Sequence, residues 1–96
     1  MTTNQQPAQV GEILVQRGNR YGTFRDNANT TQTIKQAFQC APNWGTLDAH
    51  HKESLEMIAH KIARILNGDP NYDDSWVDIA GYAQLVVDII RGENDK

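Results

Sequence analysis

The sequence has little of several features that define large classes of proteins. It contains a single cysteine, Cys40, which excludes an internal disulfide and any metal site built from several thiolates, and fits a reducing compartment. No apolar run approaches the ~20 residues that a membrane-spanning helix needs. The first seven residues lack the basic and then apolar order of a signal peptide. We therefore expect a cytoplasmic protein that contacts no membrane.

An excess of positive charge is also absent. Nine Lys and Arg residues stand against twelve Asp and Glu residues, for a formal net charge of −3. General binders of DNA or RNA gain their affinity by neutralising phosphates, so we expect no nucleic-acid partner. The 96 residues suffice for one domain with a modest core, predicted to span 1–96 with flexible tails at 1–6 and 92–96.

Apolar residues at helical spacing, without any alternating strand pattern, predict an all-α fold. Two long antiparallel helices are expected at about 46–67 and 74–91. The first has Thr46 as its N-cap and ends at Gly68, and the second opens on Asp73 or Asp74. Two N-terminal helices are predicted at about 8–17, ended by Gly18, and about 27–40. Together they form a compact four-helix bundle.

A glycine-punctuated loop at 18–25 combines arginines with aromatic residues. Arginine binds phosphate in a bidentate manner and stacks on bases, while Tyr and Phe offer ring faces to a base. The long helix adds two cations. The predicted ligand-binding residues are Arg17, Arg20, Tyr21, Phe24, Arg25, Lys61 and Arg64. Alternatively, this is a surface loop whose Tyr21 and Phe24 plug the end of the bundle.

Carboxylates recur along the two long helices. Glu53 and Glu56 are three residues apart on the first, and Asp74 and Asp78 are four apart on the second. If the two stripes face each other, they can hold Mg²⁺, which takes oxygen ligands. The other interpretation is a solvated helix face plus an N-cap.

Three histidines form the last chemical group, and none of them predicts a metal site. Adjacent side chains on a helix diverge by about 100°, which disfavours chelation of one ion by His50 and His51. His60 shares a stripe with Glu56 and Arg64 and is interpreted as a surface, ion-paired or hydrogen-bonding group.

Three motifs together resemble a family of small phage and prophage proteins. They are Tyr21-Gly22, Lys61-Ile-Ala-Arg64 and Asp73-Asp-Ser-Trp-Val-Asp-Ile-Ala-Gly-Tyr-Ala83. The resemblance covers roughly residues 12–90. It implies a phage origin, an α-helical fold and a location in the cytoplasm of a bacterial host cell.

The chain is also distantly similar to the MazG-like all-α nucleotide pyrophosphohydrolases, which bind Mg²⁺ through Glu-x-x-Glu on one helix and Glu-x-x-Asp on the next. Glu53-Ser-Leu-Glu56 matches the first half. In the second half Ser75 stands where the family has Glu, which leaves Asp78 as the matching acid. The similarity implies a metal set of Glu53, Glu56 and Asp78, while Lys61 and Arg64 bring positive charge to the same stripe.

These observations lead to one expected function and two alternatives. We expect a small protein that binds a nucleotide-type ligand without cofactor or turnover and sequesters a host nucleotide immune signal. The first alternative is a Mg²⁺-dependent, MazG-like nucleotide pyrophosphohydrolase. The second is an interaction protein with no small ligand.

A homo-oligomer, either a dimer or a dimer of dimers, is also expected. The apolar face of the last helix is too wide for its companions, and an uncovered apolar patch marks an interface. The contact is predicted near Trp76, Tyr82, Ile89 or Ile90.

Overall fold

The computed structural model describes residues 2–93, without the side chains of residues 2–9, 16 and 17. Its elements are α1 (Thr2–Tyr21), α2 (Phe24–Cys40), a 3₁₀ turn (Trp44–Thr46), α3 (Ala49–Asn67) and α4 (Asp74–Ile90). The described range holds four α-helices and no strand, which confirms the predicted all-α fold. Within that range, no helix has the length and apolar character needed to cross a membrane.

The helix boundaries differ most from the prediction at the N-terminal end. The first helix was predicted to end at Gly18, but α1 continues to Tyr21 and includes residues 2–6, which were assigned to a tail. A glycine inside a helix costs only about 1 kcal/mol, so Gly18 alone does not end it. The chain turns instead at Gly22, whose φ is +84°. The connection from α1 to α2 is therefore only Gly22 and Thr23.

The third helix also starts later than predicted. Its N-cap is Asp48, whereas Thr46, the predicted cap, closes the preceding 3₁₀ turn. The Thr46 hydroxyl donates to the carbonyl of Asn43 at 2.7 Å, so it is already used within that turn. Gly68 caps the C-terminal end of α3 and Asp73 caps the start of α4, as the sequence predicts.

Helices α3 and α4 pack antiparallel along a seam of small and polar residues. The Ser54 hydroxyl donates to the carbonyl of Tyr82 at 2.9 Å, and further along α3 the Lys61 ammonium lies 3.0 Å from the Asp78 carboxylate. Ala59 and Ala63 are fully buried in α3. No large side chain among the described residues is completely buried. The polar links therefore join α3 and α4 beside half-buried apolar side chains such as Ile58 and Val86.

The end of α3 crosses the α1–α2 connection at very short range. The backbone N–H of Asp69 donates to the carbonyl of Arg20 at 2.9 Å. A Cβ on Gly22 would lie 2.7 Å from the carbonyl oxygen of Asn67, and a Cβ on Gly68 would collide with the backbone from Arg20 to Gly22. Both positions therefore require glycine, and the crossing fixes the end of α1 against α3.

The crossing predicts that Gly68→Ala destabilises the protein by about 2–3 kcal/mol, because its neighbours are backbone atoms that cannot turn aside. Gly81→Ala is the matched control, since it lies inside α4 with nothing within 4 Å of an added Cβ. That change should raise the free energy of unfolding by about 0.5–1 kcal/mol. Urea unfolding measures both values. Equal changes in the free energy of unfolding for Gly68→Ala and Gly81→Ala would contradict a tight crossing at Gly68.

Candidate functional site

A cleft of about 730 Å³ lies between the C-terminal end of α1, the N-terminal end of α2 and the last turns of α3. It brings together three of the predicted ligand residues, Tyr21, Phe24 and Arg64. His60 and Gln32 add further polar side chains to its wall. The cleft adjoins the glycine crossing, because Gly22 also lines it.

Tyr21 connects three helices at this cleft. Its hydroxyl donates to the Asp74 carboxylate at 3.0 Å, and its ring meets the Tyr72 ring edge-on at 5.7 Å between centroids. The Arg64 guanidinium lies 4.9 Å from the centre of the Tyr21 ring, a cation–π contact that orients both groups. Burial and the hydrogen bond to Asp74 raise the pKa of Tyr21 to about 12. Tyr21 is therefore a neutral donor at physiological pH, and Arg64 is held at the cleft wall.

His60 lies one turn before Arg64 on α3 and lines the same cleft. Burial lowers the pKa of His60 below its usual value, and the positive charges of Lys35, Arg64 and Lys61 lower it further, while Glu56 opposes them. The imidazole is accordingly neutral near pH 7. A bound anion would favour its protonated form.

Three other predicted ligand residues, Arg20, Arg25 and Lys61, are not part of the described lining of the cleft. The Arg20 guanidinium lies 5.1 Å from the centre of the Tyr72 ring, and Arg25 is exposed on α2. Lys61 is only 9% exposed and its charge is compensated by Asp78 at 3.0 Å. The side chain of Arg17 lies outside the described residues.

The two aromatic residues of the predicted loop behave differently. Tyr21 is half-buried between α3 and α4, whereas Phe24 is 88% exposed at the start of α2. Phe24 therefore does not plug the end of the bundle. It leaves an open ring face beside the cleft.

A comparison with known families finds one match. The model of DUF6378, described as a domain of unknown function, matches residues 8–90. The chain belongs to the DUF6378 family. No curated protein and no solved structure matches it. Membership in DUF6378 therefore supplies no activity.

A cluster of possible metal ligands lies at the start of α3 in the DUF6378 chain. Among the described side chains, one group of three has its ligand atoms within 4.8 Å of one another: Asp48, His50 and His51. The two imidazole rings are 4.3 Å apart, closer than the divergence of neighbouring helical residues suggests. However, Nδ1 of His51 accepts the backbone N–H of Asp48 at 3.0 Å, which places the proton of the neutral ring on the other nitrogen. This arrangement is accounted for as a helix cap.

The carboxylates Glu53, Glu56 and Asp78 do not form such a group among the described side chains. Asp78 instead contacts the Lys61 ammonium at 3.0 Å, so its charge is already compensated. Magnesium binding by these three residues of the DUF6378 chain thus remains a prediction, and it requires this ion pair to open.

Besides His60, two residues that support the cleft were not assigned to it from the sequence. Asp74 was grouped with the carboxylates, but it receives the Tyr21 hydroxyl across 53 positions of sequence. Gln32 lies in the middle of α2 and lines the cleft. Its helical position is compatible with any exposed polar residue, so no local signal marks it.

The Tyr21–Asp74 contact predicts a particular loss of stability at alkaline pH. The pKa of Tyr21 is about 12 in the folded protein against 10.0 normally. The folded state therefore holds this proton more tightly, and the resulting stability is complete below pH 10 and is lost as the pH rises towards 12. The free energy of unfolding of Tyr21→Phe should fall less steeply over this interval. If the free energies of unfolding of the two proteins fall equally steeply with pH, the role assigned to the Tyr21–Asp74 hydrogen bond is contradicted.

Proposed function

We propose that this protein binds a nucleotide-type ligand, with a phosphate group and a flat base, in the cleft and holds it without turnover. The carrying observation is the Arg64 guanidinium fixed on the Tyr21 ring in the wall of a cleft of about 730 Å³. Small-molecule sites measure about 300–1,000 Å³, so the space suits a mononucleotide or a modestly larger ligand.

The phosphate would lie between Arg64 and the start of α2. Arginine offers a planar fork of donors that matches phosphate oxygens. Thr23, the N-cap of the 17-residue helix α2, and Phe24 both line the cleft, so the N-terminal end of this helix opens towards it. Unpaired backbone N–H groups at a helix start attract anions. His60, in the same wall, would gain a proton and strengthen the contact as the pH falls.

The base would stack on Phe24. A ring that is 88% exposed contributes little to folding, and its position at the rim of the cleft suits a base–aromatic contact. Such stacking contributes about 1–3 kcal/mol per base. The side-chain amide of Gln32 offers both a donor and an acceptor for the edge of the base.

Binding without hydrolysis is favoured by the state of the carboxylates. A MazG-like reaction needs Mg²⁺ on acidic side chains, and Asp78 is paired with Lys61. A protein that binds a nucleotide and returns it intact acts by lowering the free concentration of that nucleotide. In the phage setting implied by the sequence resemblance, the ligand would be a host immune signal.

The site predicts that Arg64→Ala weakens nucleotide binding about ten- to a hundredfold, since one charge-assisted phosphate contact is worth roughly 1.5–3 kcal/mol. Calorimetric titration with a panel of adenine and guanine mono-, di- and cyclic nucleotides measures this loss. Arg91→Ala is the matched control, because it removes the same charge from the exposed C-cap of α4. The nucleotide affinity of Arg91→Ala should differ from that of the unmodified protein by less than twofold. Equal losses would mean that net charge, not the cleft, sets the affinity.

The absence of turnover is tested on the same panel. The unmodified protein is incubated with each nucleotide and Mg²⁺ or Mn²⁺, then heated, and the released molecules are weighed by mass spectrometry. Intact ligand in stoichiometric amount supports sequestration. The hydrolase alternative would replace this proposal if the unmodified protein converts a nucleotide to its monophosphate and the Glu56→Gln variant does not.

A further inference from the structure

An apolar stripe on α1 leads directly into the cleft. Val10, Ile13 and Leu14 recur at three- and four-residue spacing and are 54%, 54% and 62% exposed. Continuing the same spacing reaches Tyr21, so these residues share one helix face. Leu14 and Tyr21 both line the cleft, which makes the stripe a continuation of its wall. Val15 is 64% exposed but lies about 100° further round the helix than Leu14.

The single chain exposes far more surface than a compact monomer. Its accessible surface is 7089 Å², whereas a compact protein of 10.8 kDa exposes about 5,500 Å². The radius of gyration is 16.8 Å, against about 12.5 Å for a compact chain of 96 residues. This excess of about 1,500 Å² is summed over the whole chain, and it is of the size that each partner of an obligate homodimer buries.

We propose that a second copy of this chain packs on the α1 stripe, defined as Val10, Ile13 and Leu14, and closes the mouth of the cleft. A second copy is the occupant because the excess surface of the whole chain is of the size that each partner of an obligate dimer buries, and because the stripe is uncharged. The cleft is incomplete in one chain, because its mouth is open beside Leu14 and the 88% exposed Phe24. Bound small molecules usually have about 70–90% of their surface buried. The ligand part of this inference rests on the proposed function.

The stripe is a different surface from the one expected from the sequence. Trp76 and Ile90 on α4 are 53% and 68% exposed, so that face is uncovered as well. However, the Trp76 indole N–H already donates to the carbonyl of Pro70 at 2.8 Å. Neither residue lines the cleft, so covering α4 would not complete the ligand site.

The interface is tested with the same substitution on two faces of α1. Light scattering at about 100 µM should give a dimer for the unmodified protein and for Val15→Asp, but a monomer for Val10→Asp, because two carboxylates would be buried against an apolar face. Ile90→Asp, on the α4 surface, should stay dimeric. A monomeric unmodified protein, a dimeric Val10→Asp or an equally disrupted Val15→Asp would overturn the assignment.

Closure of the cleft has a separate readout. The affinity of Val10→Asp for the tightest nucleotide of the panel should fall at least tenfold, while that of Val15→Asp stays unchanged. A monomeric Val10→Asp with full affinity would overturn closure but leave the proposed function standing. If the unmodified protein binds no nucleotide, the proposed function fails, and closure fails with it. The molecular masses from light scattering still decide whether the stripe is an interface.

A variant that fails to fold does not end the test. Circular dichroism reports the helix content of each variant. If Val10→Asp is unfolded, dilution of the unmodified protein allows the nucleotide affinities of dimer and monomer to be compared. Its nucleotide affinity must fall over the concentration range in which the dimer dissociates. Affinity that is independent of this dissociation would overturn the proposal.

Discussion

The close approach of two backbone segments, at Gly22 and Gly68, is the constraint on which the other features of this fold depend. Neither position has room for a Cβ, and the N–H of Asp69 bonds across the gap to the carbonyl of Arg20. The Asn67 amide then donates to Thr30 at 3.0 Å, which adds α2 to the same junction. Three helices meet here, and the cleft opens beside them. The positions of its wall residues follow from backbone geometry more than from apolar packing.

The interior is unusually polar for a small helical protein. Thr31, Ser54, Lys61 and Ser75 are buried, whereas the fully buried apolar residues among those described are two alanines. Buried polar groups with good partners contribute little net stability, but they disfavour other registers. A chain that buries so few large side chains stays marginal until its exposed apolar faces are covered. The proposed self-association would cover such faces beside the cleft.

The sequence predicted the C-terminal helices well and the N-terminal region less well, for physical reasons. Gly68 and Asp73 are strong local signals, so one end of each long helix could be placed. Gly18 resembled a helix end, yet tertiary context outweighs its small cost. Composition indicated Tyr21 and Arg64 as ligand residues. It could not predict that Tyr21 would meet Asp74, because no local pattern links positions 53 apart.

Two neighbouring cations on α3 differ in whether a carboxylate compensates their charge. Lys61 meets the Asp78 carboxylate at 3.0 Å, so its charge is compensated inside the protein. Arg64 lies against the neutral ring of Tyr21, whose hydroxyl is donated to Asp74. The tyrosine thus stands between the guanidinium and the nearby carboxylate, and among the described residues Arg64 has no carboxylate within 4.0 Å. A cation held in place without a counter-charge, in the wall of a cleft, favours an anion from outside the protein.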